Sequence, residues 1–135
     1  MNESADSTVS TSVILASEPQ LFVADLQAAS EFYVNKLGFK VVFSYGEPPF
    51  YAQIARDGGR LNLRRVSGTV FDGGFRSREG DAISATLTLD DARPLFLEFQ
   101  KAGVAFHQTL RTEPWGARTF IVKDLDGNLI AFAGG

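Results

Sequence analysis

The sequence predicts an α+β fold built from two βαβββ modules in tandem. Three observations predict it. One order of elements, a strand, a helix and three strands, reads twice along the chain. The two helical stretches share a frame, Asp25 to Gly38 and Asp90 to Gly103. An Asp–Gly hairpin signal, Asp57-Gly58 and then Asp126-Gly127, separates the last two strands of each half. Recurrence of a whole supersecondary unit marks a duplicated architecture.

In the first half, "SVILASEPQLFV" (12–23) has strand character. "DLQAASEFYVNKLG" then reads as a helix, with Asp25 as N-cap and Gly38 as the stop. Leu26, Ala29, Phe32, Tyr33 and Leu37 fall on one stripe of it. Three strands follow: "FKVVFSY", "PFYAQIARD" and "RLNLRRV", the last two joined by "DGG". In the second half, "AISATLTL" alternates apolar with polar and predicts a strand buried on one face. "DDARPLFLEFQKAG" predicts a helix capped at Asp90, with Ala92, Leu95, Phe96, Phe99 and Ala102 as its stripe. Pro94 is tolerated there because it falls in or near the first turn. The strands "VAFHQTL", "ARTFIVKD" and "NLIAF" complete the unit.

The predicted organisation is a disordered polar tail at 1–12 and a single domain at 13–135. Within it, module one covers 13–66, a linker 67–80 and module two 81–133. The linker "SGTVFDGGFRSREG" is glycine-rich and aperiodic, suited to a connection or a flap over a site. The tail "MNESADSTVSTS" has neither a basic cluster nor an apolar segment. It does not read as a secretory signal, so a cytoplasmic protein is expected.

Composition narrows the function. A chain of 135 residues suits one domain. A net charge of -3 disfavours nonspecific nucleic-acid binding and mildly favours a cationic ligand. No apolar run approaches membrane-spanning length. The absence of cysteine excludes disulfides, thiolate nucleophiles and cysteine metal sites. Twelve phenylalanines exceed what a small core needs and suit a site that grips a flat ligand.

"LFVADLQAASEFYVNKLGF" together with "WGARTFIVKDLDGNLIAF" resembles the vicinal oxygen chelate superfamily. That superfamily holds glyoxalase I, extradiol dioxygenases, fosfomycin-resistance enzymes and bleomycin-resistance proteins. The resemblance covers residues 13 to 133 and is closest in character to the bleomycin-resistance members. It implies paired βαβββ modules curling into a partly open barrel, a homodimer, and clefts that often draw on both chains. In metal-using members four strands each contribute one ligand to a divalent ion. The matching positions here are Glu18, Asn62, Ser84 and Ala131. Only Glu18 is a competent anionic donor, and zinc, nickel or iron would need more. The lone His107 lies elsewhere and has no acid partner visible in the sequence. No metal and no cofactor are therefore expected.

Several residues are candidates for ligand contact. "PWG" around Trp115 resembles bleomycin-resistance members, in which the tryptophan touches the drug; the alternative is a loop tryptophan packed over the barrel rim. Phe43, Tyr45, Phe50 and Tyr51 surround "GEPP" as one wall of a cleft, or belong in part to the core. Asn62 and Arg64 alternate with Leu61 and Leu63, so leucines in the core would turn them to the cleft. Arg64 could then anchor an anion or stack on a ring; Arg118 is a further candidate. Glu18 is a possible general base or partner for a cation, or a surface glutamate. Asp124 and Asp126 bracket a turn and suit turn geometry.

The expected function is metal-free sequestration of a planar or aromatic small molecule, such as an antibiotic, in a dimer cleft. No bond is made or broken. The alternative is an enzyme. It would be a glyoxalase- or dioxygenase-like lyase or isomerase with a degenerate or displaced metal site, or a metal-free catalyst using Glu18. A third reading is a regulatory or scaffolding domain whose own side chains fill the cleft.

Overall fold

Each half of the chain folds as one strand, one helix and three strands. The computed structural model describes residues 11–135; the tail reading at 1–12 therefore lies almost wholly outside the described residues. The first module runs β1 (Gln20–Val23), α1 (Leu26–Asn35), β2 (Lys40–Gly46), β3 (Pro49–Arg56) and β4 (Gly59–Arg65). A short helix, α2 (Phe75–Arg78), interrupts the connection. The second module runs β5 (Ala85–Thr88), α3 (Ala92–Lys101), β6 (Phe106–Thr112), β7 (Arg118–Lys123) and β8 (Leu129–Gly134).

Each module makes one open four-stranded sheet, ordered β1-β4-β3-β2 and β5-β8-β7-β6. The outer pairs β1–β4 and β5–β8 are parallel, and the rest are antiparallel. Neither sheet closes into a barrel. The expected strand at 12–23 shortens to β1, and residues 11–19 join no strand. Val13, Ile14 and Leu15 have strand propensity but meet no neighbouring strand among the described residues.

Both helices pack on one face of their own sheet. In α1, Asp25 accepts a hydrogen bond from the Ala28 amide at 3.0 Å, and Leu26, Ala29 and Tyr33 are buried. In α3 the cap is Asp91, which accepts from the Arg93 amide at 3.1 Å. Asp90 instead accepts from the Asp91 amide. Two adjacent aspartates made the sequence ambiguous by one residue. Gly38 and Gly103 end the helices with φ of +74° and +76°, a conformation glycine adopts without steric cost. Gly38 has a second reason to lack a side chain: a Cβ would lie 2.6 Å from Arg56 Nη1.

The core is one cluster that spans both modules, from Leu21 and Ile54 to Phe120 and Phe132. Polar contacts between the modules run beside it. The Tyr33 hydroxyl donates to the buried Asp124 carboxylate at 2.8 Å. Asp126 accepts from the Ala24 amide at 3.0 Å, and Asn128 Nδ2 donates to the Phe22 carbonyl at 2.9 Å. Arg56 reaches the other way, to Glu98 at 2.7 Å. The hairpin of each module thus grips the helix of the other. The aspartates do more than shape their turn.

The linker is also tied down. Asp72 accepts from the amides of Gly74 and Phe75. Arg76 donates to the carbonyls of Glu79, Ala82 and Gly127, and its guanidinium lies over the Phe71 ring at 4.6 Å. Among the described residues no helix is long and apolar enough to cross a membrane.

Burial pushes the Asp124 carboxyl up from its ordinary value, against hydrogen bonds from Asn128, Tyr33 and the local backbone that pull it down. Tyr33→Phe removes one of those donors. It is expected to destabilise the fold by about 1–3 kcal/mol, the cost of a buried acceptor left short of a partner. The measurement is the urea unfolding midpoint. A carboxyl whose pKa is raised on folding loses stability as pH climbs from below the unfolded value through the folded one. Removing the tyrosine donor raises it further, so the deficit of Tyr33→Phe should grow with pH across that window and shrink in acid.

Candidate ligand-binding site

Leu61 and Leu63 are fully buried on the α1 side of the first sheet. Asn62 and Arg64 therefore take the helix-free face, as their alternation predicts. Register assigns the rest of that face, because side chains opposite one another across paired strands share a side. One row is Phe22, Arg64, Tyr51 and Tyr45. The next is Gln20, Asn62, Gln53 and Phe43. A third holds Arg60, Ala55 and Lys40.

Three of the four aromatic candidates, Phe43, Tyr45 and Tyr51, share that face at the β2–β3 hairpin, whereas Phe50 has the parity of the buried Ala52 and meets Tyr45 edge to face. Phe43 and Tyr51 lie 6.2 Å apart between ring centroids, and Tyr45 and Phe50 5.8 Å apart, edge to face. Phe43 is 45% exposed and Tyr45 68%. Gly46, at φ +108°, leaves space that a Cβ would take from the Phe50 ring.

The polar row beside this surface is already bonded. Gln53 Nε2 donates to Glu18 Oε1 at 2.9 Å and to Asn62 Oδ1 at 3.0 Å. Gln53 Oε1 accepts from Arg60 at 2.9 Å. Sequence reasoning missed Gln53, although its alternation with the buried Ala52 and Ile54 was a usable signal. It missed Phe22 for want of the parallel register that sets it beside Arg64.

Register also tests the four positions matched to metal ligands. Gln20 pairs with Asn62, and Thr86 with Ala131. Glu18 and Ser84 each lie two residues before the first member of those pairs, so the positions correspond between modules. Their chemistry does not suit a divalent ion. Glu18 and Asn62 turn their oxygens to one amide donor, Gln53. Ser84 Oγ donates to Asn128 at 3.1 Å. Ala131 has no donor atom. Among the described residues no three His, Asp or Glu side chains gather as a metal cluster. His107 does have an acid partner, Asp81 at 2.8 Å, which its distance along the chain concealed.

Trp115 stands on a tight turn, 76% exposed, and stacks on no ring among the described residues. Glu113 organises that turn. Its amide donates to the Ala117 carbonyl at 2.7 Å, and its carbonyl accepts from Gly116 at 2.9 Å. Its carboxylate accepts from Arg111 at 2.9 Å and Thr119 at 2.5 Å. Arg111 first and Thr119 second hold this carboxyl below the usual range. Arg118 has the strand parity of the buried Phe120 and Val122. It therefore does not join Thr119 and Ile121 on the helix-free face of the second sheet.

A large concavity among the described residues lies elsewhere. It is an open groove of about 1010 Å³ between the Asp57–Arg60 turn and the β5–α3 region. None of the predicted contact residues lines it.

The model of the Glyoxalase/Bleomycin resistance protein/Dioxygenase superfamily matches residues 14–132. The chain belongs to this superfamily. It is 29% identical over 133 residues to bleomycin resistance proteins of Geobacillus stearothermophilus and Staphylococcus aureus, covering 88% of this chain and 96% of each relative. It superposes on the bleomycin-binding protein of Streptomyces verticillus complexed with copper(II)-bleomycin, with a TM-score of 0.71 and 25% identity over 93% of this chain and 99% of that one. TnmS3, an antibiotic binding protein of Streptomyces sp. CB03234, gives 0.67 and 25% over 93% and 98%. Antibiotic binding is thus a property found within the superfamily.

Glu113→Ala should loosen the turn that carries the single tryptophan. Steady-state fluorescence anisotropy of Trp115 is expected to fall without loss of the fold. A carboxyl whose pKa is depressed on folding contributes above the unfolded value and loses that contribution as pH falls through the folded one. Acid should therefore reproduce the drop in the parent protein and leave the variant unaffected. Equal anisotropy in parent and variant would mean that the backbone turn holds Trp115 alone.

Proposed function

We propose that this protein is a metal-free, cytoplasmic binding protein that sequesters a planar aromatic small molecule, an antibiotic among the candidates, in a cleft shared by a homodimer. The observation that carries the proposal is the aromatic surface of Phe43, Tyr45 and Tyr51, with Phe43 and Tyr45 open to water, beside Arg64 and Asn62. A flat ring laid on it gains dispersion and removes apolar area from water on both partners. Polar groups beside the surface then orient the ligand. Family membership among proteins that bind antibiotics supports the same reading.

Apolar surface that one chain leaves exposed supports the dimer. Val13 is 73% exposed and Ile14 and Leu15 are each 92% exposed, and Phe22, Val41 and Val42 add to them. Apolar patches of this kind mark association surfaces. A second copy would cover them and supply the facing wall, with Trp115 as an aromatic contact. Sequestration needs no bond change, and Glu18 and Asn62 are already engaged with Gln53.

Sedimentation at micromolar concentration should give a dimer. A thermal-shift screen of bleomycin and aromatic antibiotics should find a stabilising ligand, worth about 2.7 kcal/mol at a hundred times its dissociation constant. Trp115→Ala should weaken that ligand by about 2 kcal/mol, read by calorimetry, while prior treatment with a chelator leaves the affinity unchanged. A monomer would remove the shared cleft. Recovery of a chemically altered ligand would place the protein with the catalytic members.

A further inference from the structure

The chain is acidic overall, yet the helix-free face of its first sheet is not. By register that face carries Lys40, Arg60 and Arg64. The carboxylate hydrogen-bonded into that face is Glu18, whereas Glu47 stands apart at the tip of the β2–β3 hairpin. Glu18 shares Gln53 with Arg60: Gln53 donates to Glu18 and accepts from Arg60. Those two opposite charges are held at the two ends of one amide and offset each other. Arg64 is left over. The ion pairs among the described residues are Arg56–Glu98, His107–Asp81 and Arg111–Glu113, and none involves Arg64. Its recorded hydrogen bond is a long one, 3.3 Å to the adjacent Arg65 carbonyl. In register it sits between Phe22 and Tyr51, with Tyr45 next along the row. A guanidinium without a carboxylate, flanked by rings, is suited to hold an oxyanion in the plane of a stacked aromatic.

The second sheet supplies no opposing charge. Its helix-free face, read from register, carries Thr86, Thr119, Ile121, Ala131 and Ala133, with Lys123 at one end. Glu113 lies close by but is neutralised by Arg111 at 2.9 Å. On the aromatic row itself the one charged side chain is Arg64.

We infer that the ligand class of this site is a planar aromatic anion, a carboxylate or phenolate on a fused or conjugated ring system, with Arg64 as the residue that selects its charge. The inference rests on the aromatic-sequestration reading above and narrows it. It also reverses the expectation from net charge, because charges beyond about a Debye length, roughly 8–10 Å, are screened and the ligand responds to those beside it.

The test uses the full-length protein and three anthraquinones of matched size bearing a carboxylate, a hydroxymethyl group or an ammoniomethyl group. Affinities are measured by calorimetry at low and at high salt. The carboxylate is expected to bind roughly tenfold tighter than the neutral compound at low salt, equivalent to about 1.4 kcal/mol, with a smaller ratio at high salt. Arg64→Gln should bring the ratio to near one, and Arg64→Lys should restore most of it. Equal binding of all three, or tighter binding of the cation, overturns the charge selection while leaving aromatic sequestration standing. A carboxylate preference that survives Arg64→Gln also overturns the assignment to Arg64. If none of the three binds, the sequestration reading fails and this inference falls with it.

Discussion

The buried carboxylate of Asp124 is the constraint on which the rest of the structure depends. It takes the amides of Asp126 and Asn128 and the side-chain amide of Asn128, which shapes the second hairpin. It also takes the hydroxyl of Tyr33, a fully buried residue of the first helix. A carboxylate removed from water must be given donors or be protonated. Here one donor comes from the other module, so the hairpin cannot form its full set of bonds until the modules dock. Burial and the neighbouring carboxylate in turn push the Tyr33 phenol well above its ordinary value, which keeps its proton available for donation. Arg56 and Glu98 make the reciprocal contact, but at an exposed position where water competes and the pair contributes little.

Docking through helices and hairpins decides where function can reside. The helix-bearing sides of both sheets are spent on a shared core. On the first sheet the open side is aromatic at one end and polar at the other. Gln53 stands between them and ties Glu18, Asn62 and Arg60 into one bonded row. Glu18 and Asn62, two of the four positions matched to metal ligands, are therefore bonded to one amide donor. Ala131 completes the change, since a methyl group has nothing to offer an ion.

Charge illustrates the difference between a total and a field. A net of -3 is a sum over 135 residues, and many of its acids lie at helix caps and hairpin turns. Asp25, Asp91 and Asp124 are occupied with backbone amides. Of the first module's six cations, four (Arg56, Arg60, Arg64 and Arg65) lie on β3 and β4, and alternation sends Arg60 and Arg64 to the open face. Secondary structure thus sorts the two signs into different places.

The amino-acid sequence by itself determined the duplicated βαβββ order, both helices with their buried stripes and the hairpins. These are local matters of periodicity and turn chemistry, and Leu61-Asn62-Leu63-Arg64 shows how far alternation alone reaches. The strand expected at 12–23 formed only over Gln20–Val23, because a strand needs a neighbour and propensity does not supply one. The cap of the second helix moved from Asp90 to Asp91, a choice made by backbone geometry between two equivalent side chains. Only the tertiary structure decided that Phe22 flanks Arg64, that Gln53 joins Glu18 to Asn62, that Asp81 meets His107 and that Arg118 has the parity of the core. Each depends on register or on contact between distant segments. That pairing is selected by the burial of whole faces and the satisfaction of buried polar groups, neither of which is a property of any short stretch of chain.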